Sequence, residues 1–152
     1  MVAKISIGNS LYGALAYNGE KINEAKGRLL TTNCIYNDGT GTMDIHRAME
    51  DFLALMPVRS KVEKPVVHIS LNPHPDDILT DTELQDIAWE YLEKMGFGNQ
   101  PYLVFKHEDI DRHHLHIVVS CSNLSATIRQ SFSTCSGGIL HCTAKLHKFS
   151  RQ

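Results

Sequence analysis

The segment His107-Glu-Asp-Ile-Asp-Arg-His-His-Leu-His116 concentrates residues that bind metals. Side chains two apart on an extended strand share a face, so His114 and His116 project together while Leu115, Ile117 and Val119 line the other face. His107, across a short turn at the end of the partner strand, can reach the same point, bringing three imidazoles around one cation. Neutral imidazole suits manganese, zinc, nickel or copper, and three protein ligands leave coordination positions open for substrate oxygens. The bland alternative is a solvated histidine patch. Against it stand the apolar residues alternating with His114 and His116, and an acid, Asp109, two residues after His107. Asp109 suits the task of orienting a metal-bound imidazole through its second N–H, or of accepting a proton. It is equally a residue type at home in a hairpin turn. His113 points the other way by strand parity and is left out of the set.

These residues need a scaffold, and the local patterns supply one. Tyr102 to Lys106 and His113 to Ser120 read as two strands joined by a short polar connection, an antiparallel hairpin. Val2 to Gly8 alternates polar and apolar residues as a half-buried strand does. Asn9 and Ser10 are good N-cap residues for a short helix carrying Leu11, Ala14, Leu15 and Ala16, with Tyr17 in its last turn and a stop near Asn18-Gly19. Leu29 to Tyr36 is a weaker strand, followed by turn residues at Asn37-Asp-Gly-Thr-Gly41. Ile45, Met49, Phe52, Leu53 and Met56 recur at helical spacing, and Pro57 ends the pattern. Pro65 to Leu71 is a β-branched central strand closed by Asn72-Pro73. Thr80 and Glu83 form a capping box for a helix whose stripe is Leu84, Ile87, Tyr91, Leu92 and Met95, with Gly96 as its left-handed C-terminal cap. The class is therefore α+β: an antiparallel or mixed central sheet with helices packed on one face.

The chain has 152 residues, 42% of them hydrophobic, enough for one sizeable core and too few for two comfortable domains. No stretch approaches a membrane span and the N-terminus lacks the pattern of a signal peptide, so a cytoplasmic protein without membrane insertion is expected. The four cysteines include no CxxC pair and read as reduced thiols. A net charge of -2 gives no global signature of nucleic-acid binding. The charge is uneven, with acids in excess from Pro65 to Ser120, many on the capped helix, and none after Cys121.

His107-x-Asp109-x4-His114-x-His116, followed by Ile117-Val118-Val119, resembles the third motif of the relaxase and mobilisation nuclease family, part of the HUH endonuclease group. The resemblance extends through His68-Ile-Ser-Leu-Asn-Pro73, the helix from Thr80 to Gly96, and Gln100-Pro-Tyr-Leu-Val-Phe-Lys-His107. It implies an HUH-like fold. It also implies a strand transfer in which a tyrosine hydroxyl attacks a phosphodiester of single-stranded DNA, leaving a 5′-phosphotyrosine and a free 3′-OH. The residues alone leave Tyr12 and Tyr17 even as nucleophile; the family's Ala-Leu-Ala-Tyr-like segment matches Ala14-Leu-Ala-Tyr17. By the same resemblance Ser70 and Asn72 belong to the second motif and contact DNA, although a strand serine often only bonds backbone. The implied cofactor is a divalent cation, magnesium or manganese foremost, zinc or nickel next. The implied partners are origin-of-transfer DNA, mobilisation accessory proteins and a coupling protein, in plasmid or transposon mobilisation.

Residues 1–120 match the family as a nuclease core, whereas 121–152, rich in Ser, Thr and Cys and free of acids, read as a divergent or out-of-frame tail. A truncated relaxase is the expectation that follows, and with it an alternative function as a non-catalytic module gripping DNA or a partner. A further alternative is a metal-free two-histidine phosphoesterase using His68-Ile-Ser70 and His141-Cys-Thr143. It leaves His107, His114 and His116 without a task.

Overall fold

The computed structural model describes residues 1–56, 65–109 and 112–120, and the backbone of 140–142. The elements run β1 (Val2–Gly8), α1 (Leu11–Asn23), β2 (Gly27–Asn33), α2 (Ile45–Leu55), β3 (Val66–Asn72), α3 (Asp81–Lys94), β4 (Tyr102–His107), β5 (His114–Ser120) and β6 (Leu140–Cys142). The six strands form one sheet in the order β2-β4-β5-β3-β1-β6, and each neighbouring pair is antiparallel. The expected α+β class with an antiparallel sheet is what the chain forms.

The helices, expected on one face, divide between both. α3 lays Leu84, Ala88, Tyr91 and Leu92 against Ile69, Leu71, Val104, Leu115, Ile117 and Val119. α1 and α2 bring Leu11, Leu15, Ala48 and Phe52 to the opposite side, where Leu103, Phe105 and Val118 wait. The physical reason lies in β4 and β5, whose residues are apolar at both parities, as strands covered on both sides must be. The face bearing His114 and His116 is therefore not simply polar, because Val118 on that face is fully buried.

α1 is longer than expected. Ser10 caps it by accepting from the Gly13 N–H, but Asn18 and Gly19 lie inside the helix rather than ending it. The Asn18 side chain donates back to the Ala14 carbonyl at 2.8 Å and is buried, which removes its usual incentive to break a helix. Gly19 is where α2 comes close: a β-carbon there would sit 2.9 Å from Ile45 Cδ1. Tyr17 thus lies mid-helix. β2 begins at Gly27 and ends at Asn33, earlier than the Leu29–Tyr36 span expected, and its pairing with β4 shifts register between Leu29 and Thr31. α3 carries both halves of the Thr80–Glu83 capping box, and Gly96 takes a φ of 79° just past its end. β6 was not expected. It pairs with the outer edge of β1, Ala3 opposite Cys142, so part of the supposed tail joins the sheet. The rest of that tail, 121–139 and 143–152, lies outside the described residues, as do Pro57 and the centre of the β4–β5 connection.

Candidate active site

At the loop end of the hairpin His107 stands directly opposite His114, the pair of the β4–β5 ladder nearest the turn. His116 follows two residues along β5 on the same face, and the ligand nitrogens of His107, His114 and His116 all lie within 4.8 Å of one another. The His107 and His116 rings stack with centroids 4.1 Å apart. His107 is fully buried, and Gly27 on the neighbouring strand makes room for it: a β-carbon at Gly27 would stand 3.2 Å from His107 Cδ2 and 3.2 Å from the Lys106 carbonyl oxygen. His113, excluded on parity, stands apart, half exposed beside Glu108.

Tyr17 closes the site from above. Its ring centroid lies 5.9 Å from that of His107, 6.0 Å from His116 and 6.4 Å from His68. Tyr12, five residues earlier, is turned by about 140° around the helix and is more exposed. The helix axis therefore separates the two tyrosines that sequence left even. One turn beyond Tyr17, Lys21 Nζ sits 5.9 Å from the Tyr17 ring and 3.0 Å from Asp109 Oδ2. Asp109 turns its other oxygen to within 3.5 Å of His114 Nε2. The hydrogen bond from Lys21 holds the Asp109 carboxyl below the usual aspartate range.

His68, Ser70 and Asn72 on β3 share the histidine face, since Val67, Ile69 and Leu71 face α3. Ser70 is paired with His116 in the ladder, and the Asn72 amide donates to Ser70 Oγ at 3.2 Å. Lys4 and Ser6 of β1 extend the same face and are exposed, so β1 and β3 form a polar floor that α1 and α2 leave uncovered. The acids of α3 are on the other side of the sheet. Of the acids between Pro65 and Ser120, those on α3 therefore lie away from the site, and Asp109 lies in it.

Two site residues escaped sequence reasoning. Asn18 binds His107 Nε2 through Oδ1 at 2.9 Å, and was read as a helix stop. His68 Nε2 lies 2.9 Å from His116 Nδ1 and had been noted for other reasons. The signal for His68 was parity with Ser70; Asn18 gave none beyond standing next to Tyr17.

The residues suit a cation. His107 Nδ1 is buried and lacks a hydrogen-bond partner among the described residues, and the buried Asp109 Oδ1, 3.5 Å from His114 Nε2, makes no hydrogen bond there. Burial lowers the pKa of His107 from 6.5 to about 4 and pushes that of His116 further down, so both rings are neutral donors of a lone pair near neutral pH. A linkage consequence follows. Unfolded histidine takes up a proton near pH 6.5 while folded His107 does so only near 4, so stability is fully present above 6.5 and is lost as pH falls toward 4. His107 alone accounts for a loss on the order of 3 kcal/mol. Urea unfolding in EDTA should show stability falling steadily between about pH 6.5 and 5.5, above the range where the carboxylates titrate. A flat profile there would contradict neutral, buried histidines.

A family model described as "Relaxase: MobA/VirD2-like, nuclease domain" matches residues 17–136. The chain belongs to the relaxase family. The match begins at Tyr17, takes in all three histidines and runs past residue 120. No curated protein and no solved structure gives a match. Relaxase nuclease domains act on single-stranded DNA, and the histidine cluster in this relaxase domain can hold a metal ion. No helix among its described residues is long and apolar enough to cross a membrane.

Proposed function

We propose that this chain nicks single-stranded origin-of-transfer DNA through a 5′-phosphotyrosine intermediate on Tyr17, with a divalent cation held by His107, His114 and His116. The observation that carries this is the placement of the Tyr17 ring within 6.0 Å of the His107 and His116 rings, whose nitrogens converge with that of His114. A bound cation, magnesium or manganese in the first instance, supplies Lewis-acid polarisation of the non-bridging phosphate oxygens. The chain's own residues do the rest. The strand lies along the floor of β1 and β3, where Ser70 and Asn72 offer hydroxyl and amide groups to its backbone. Tyr17 Oη attacks phosphorus in line with the departing 3′ oxygen; the Oη–P bond forms, the P–O3′ bond breaks, and the 3′ oxygen leaves as a hydroxyl after protonation. Asp109, kept ionised by Lys21, would steady His114 and take up the tyrosine proton. Covalent capture conserves phosphodiester energy, so the strand can be rejoined by the reverse attack. The same chemistry in a cell would serve plasmid or transposon mobilisation in the cytoplasm, alongside accessory mobilisation proteins and a coupling protein.

The test is incubation of the full chain with single-stranded origin DNA and manganese or magnesium, followed by a denaturing gel. An adduct that resists denaturation, and that EDTA abolishes, is the expected outcome. DNA retained on a native gel with no adduct under any metal would identify a binding module instead. Cleavage that persists in EDTA would point to a metal-free phosphoesterase, although His68 is already engaged with His116 rather than left free for that role.

A further inference from the structure

We infer that Asn18 is a positioning residue that fixes the tautomer of His107 and so presents His107 Nδ1 to the cation, tying the metal centre to the helix that carries Tyr17. The inference presupposes the metal centre proposed for His107, His114 and His116. It concerns a different residue, and part of it is measurable without any metal.

Asn18 is fully buried on α1, so its two ends must each find a partner. Its Nδ2 donates to the Ala14 carbonyl at 2.8 Å, one turn back along the same helix. A carbonyl oxygen can only accept, so the end facing Ala14 must be the NH2 and the end facing His107 must be the oxygen. Turning the amide over would set oxygen against oxygen at Ala14 and lose that bond. The oxygen so placed lies 2.9 Å from His107 Nε2, and for that contact to be a hydrogen bond Nε2 must carry the proton. A neutral imidazole has only one N–H. The lone pair is therefore on Nδ1, which is the nitrogen that is buried with no hydrogen-bond partner among the described residues.

A buried acceptor left empty carries an uncompensated desolvation penalty, which a bound cation removes. A chain of fixed contacts thus runs from the backbone carbonyl of Ala14 through Asn18 to His107 and ends on the ligand nitrogen. Because Asn18 follows Tyr17 directly on one turn of helix, the same helical segment that sets the tyrosine also sets the ligand. A purely space-filling role for Asn18 would account for its burial but not for the matched pair of bonds at its two ends.

Asn18→Leu preserves volume and removes both bonds; Asn18→Asp keeps an acceptor toward His107 Nε2 while losing the donor to Ala14. Two readouts apply to the full chain. In the absence of metal, nitrogen-detected imidazole spectra should show His107 protonated at Nε2 in the native protein and in Asn18→Asp, with the Nε2–H form no longer dominant in Asn18→Leu. With manganese or zinc, calorimetry should show affinity reduced about 10–100-fold in Asn18→Leu and largely retained in Asn18→Asp. If His107 keeps the same tautomer in Asn18→Leu, or if that variant folds and binds metal as tightly as the native chain, the inference is overturned. If Asn18→Leu does not fold, an Nδ1-protonated His107 in the native protein or in Asn18→Asp overturns it equally. A native chain that binds no metal would instead defeat the metal centre while the tautomer comparison still decides the role of Asn18.

Discussion

Tyr17→Phe should eliminate the covalent protein–DNA adduct, while Tyr12→Phe leaves it at the native level. Phenylalanine retains the ring that packs among His68, His107 and His116, so the substitution removes the proposed nucleophilic oxygen and little else. Losing a nucleophile from an otherwise intact catalytic set lowers turnover by at least about a thousandfold. Tyr12 has the same chemistry on the wrong side of α1, with more than half of its surface exposed at 57%. Adduct yield on denaturing gels, measured beside thermal unfolding of each variant, separates loss of chemistry from loss of fold. Adduct formation by Tyr17→Phe at native yield would remove Tyr17 from the mechanism, whatever Tyr12→Phe does.

The second large effect is expected at the histidines. His116→Ala removes the proposed ligand at the centre of the cluster, between His107 at 4.1 Å and His114 at 5.0 Å by ring centroids. Changes to groups that merely orient a ligand cost about 10–100-fold in metal affinity, so loss of the ligand itself should exceed 100-fold. His113→Ala is the matched control, one residue from His114 but turned outward to Glu108, and its affinity should stay within a few-fold of native. Calorimetric titration with manganese or zinc reads both directly. Equal affinity in His116→Ala and the native chain would mean that any ion bound lies elsewhere. The adduct should disappear with the affinity in His116→Ala, since the phosphate would then lack its Lewis acid.

The parts of the fold legible in sequence were those where a local signal and the tertiary context agree. The period-two alternation of β1 marks Val2–Gly8, and the reciprocal Thr80–Glu83 bonds mark the start of α3. Parity alone groups His114 with His116 and rejects His113, because a strand admits only two directions for a side chain. What was not legible depended on contacts between distant residues. Asn18 and Gly19 look like helix breakers until the first is held by Ala14 and His107 and the second by the approach of Ile45. The helices divide between two faces because Leu103, Phe105 and Val118 need cover as much as Val104, Ile117 and Val119 do, a point hidden by attention to the alternating histidines. His68 could be placed on the site face by parity, but its contact with His116 requires knowing that β3 is the neighbour of β5. β6 is short, and nothing local distinguishes Leu140–Cys142 from its surroundings.

The division of the helices also governs how a polyanion can approach. α3 holds Asp81, Glu83, Asp86, Glu90 and Glu93 on the far side of the sheet, while on the near side α1 and α2 carry acids and bases together and Lys21 is paired with Asp109. A protein of net charge -2 would repel a strand from every direction if its charge were spread evenly. Here the sheet keeps the carboxylates of α3 away from the floor of β1 and β3, where Lys4, Ser6, Ser70 and Asn72 lie. A strand that settled on that floor would meet hydroxyl, amide and ammonium groups rather than the carboxylates of α3, which the thickness of the sheet keeps out of reach.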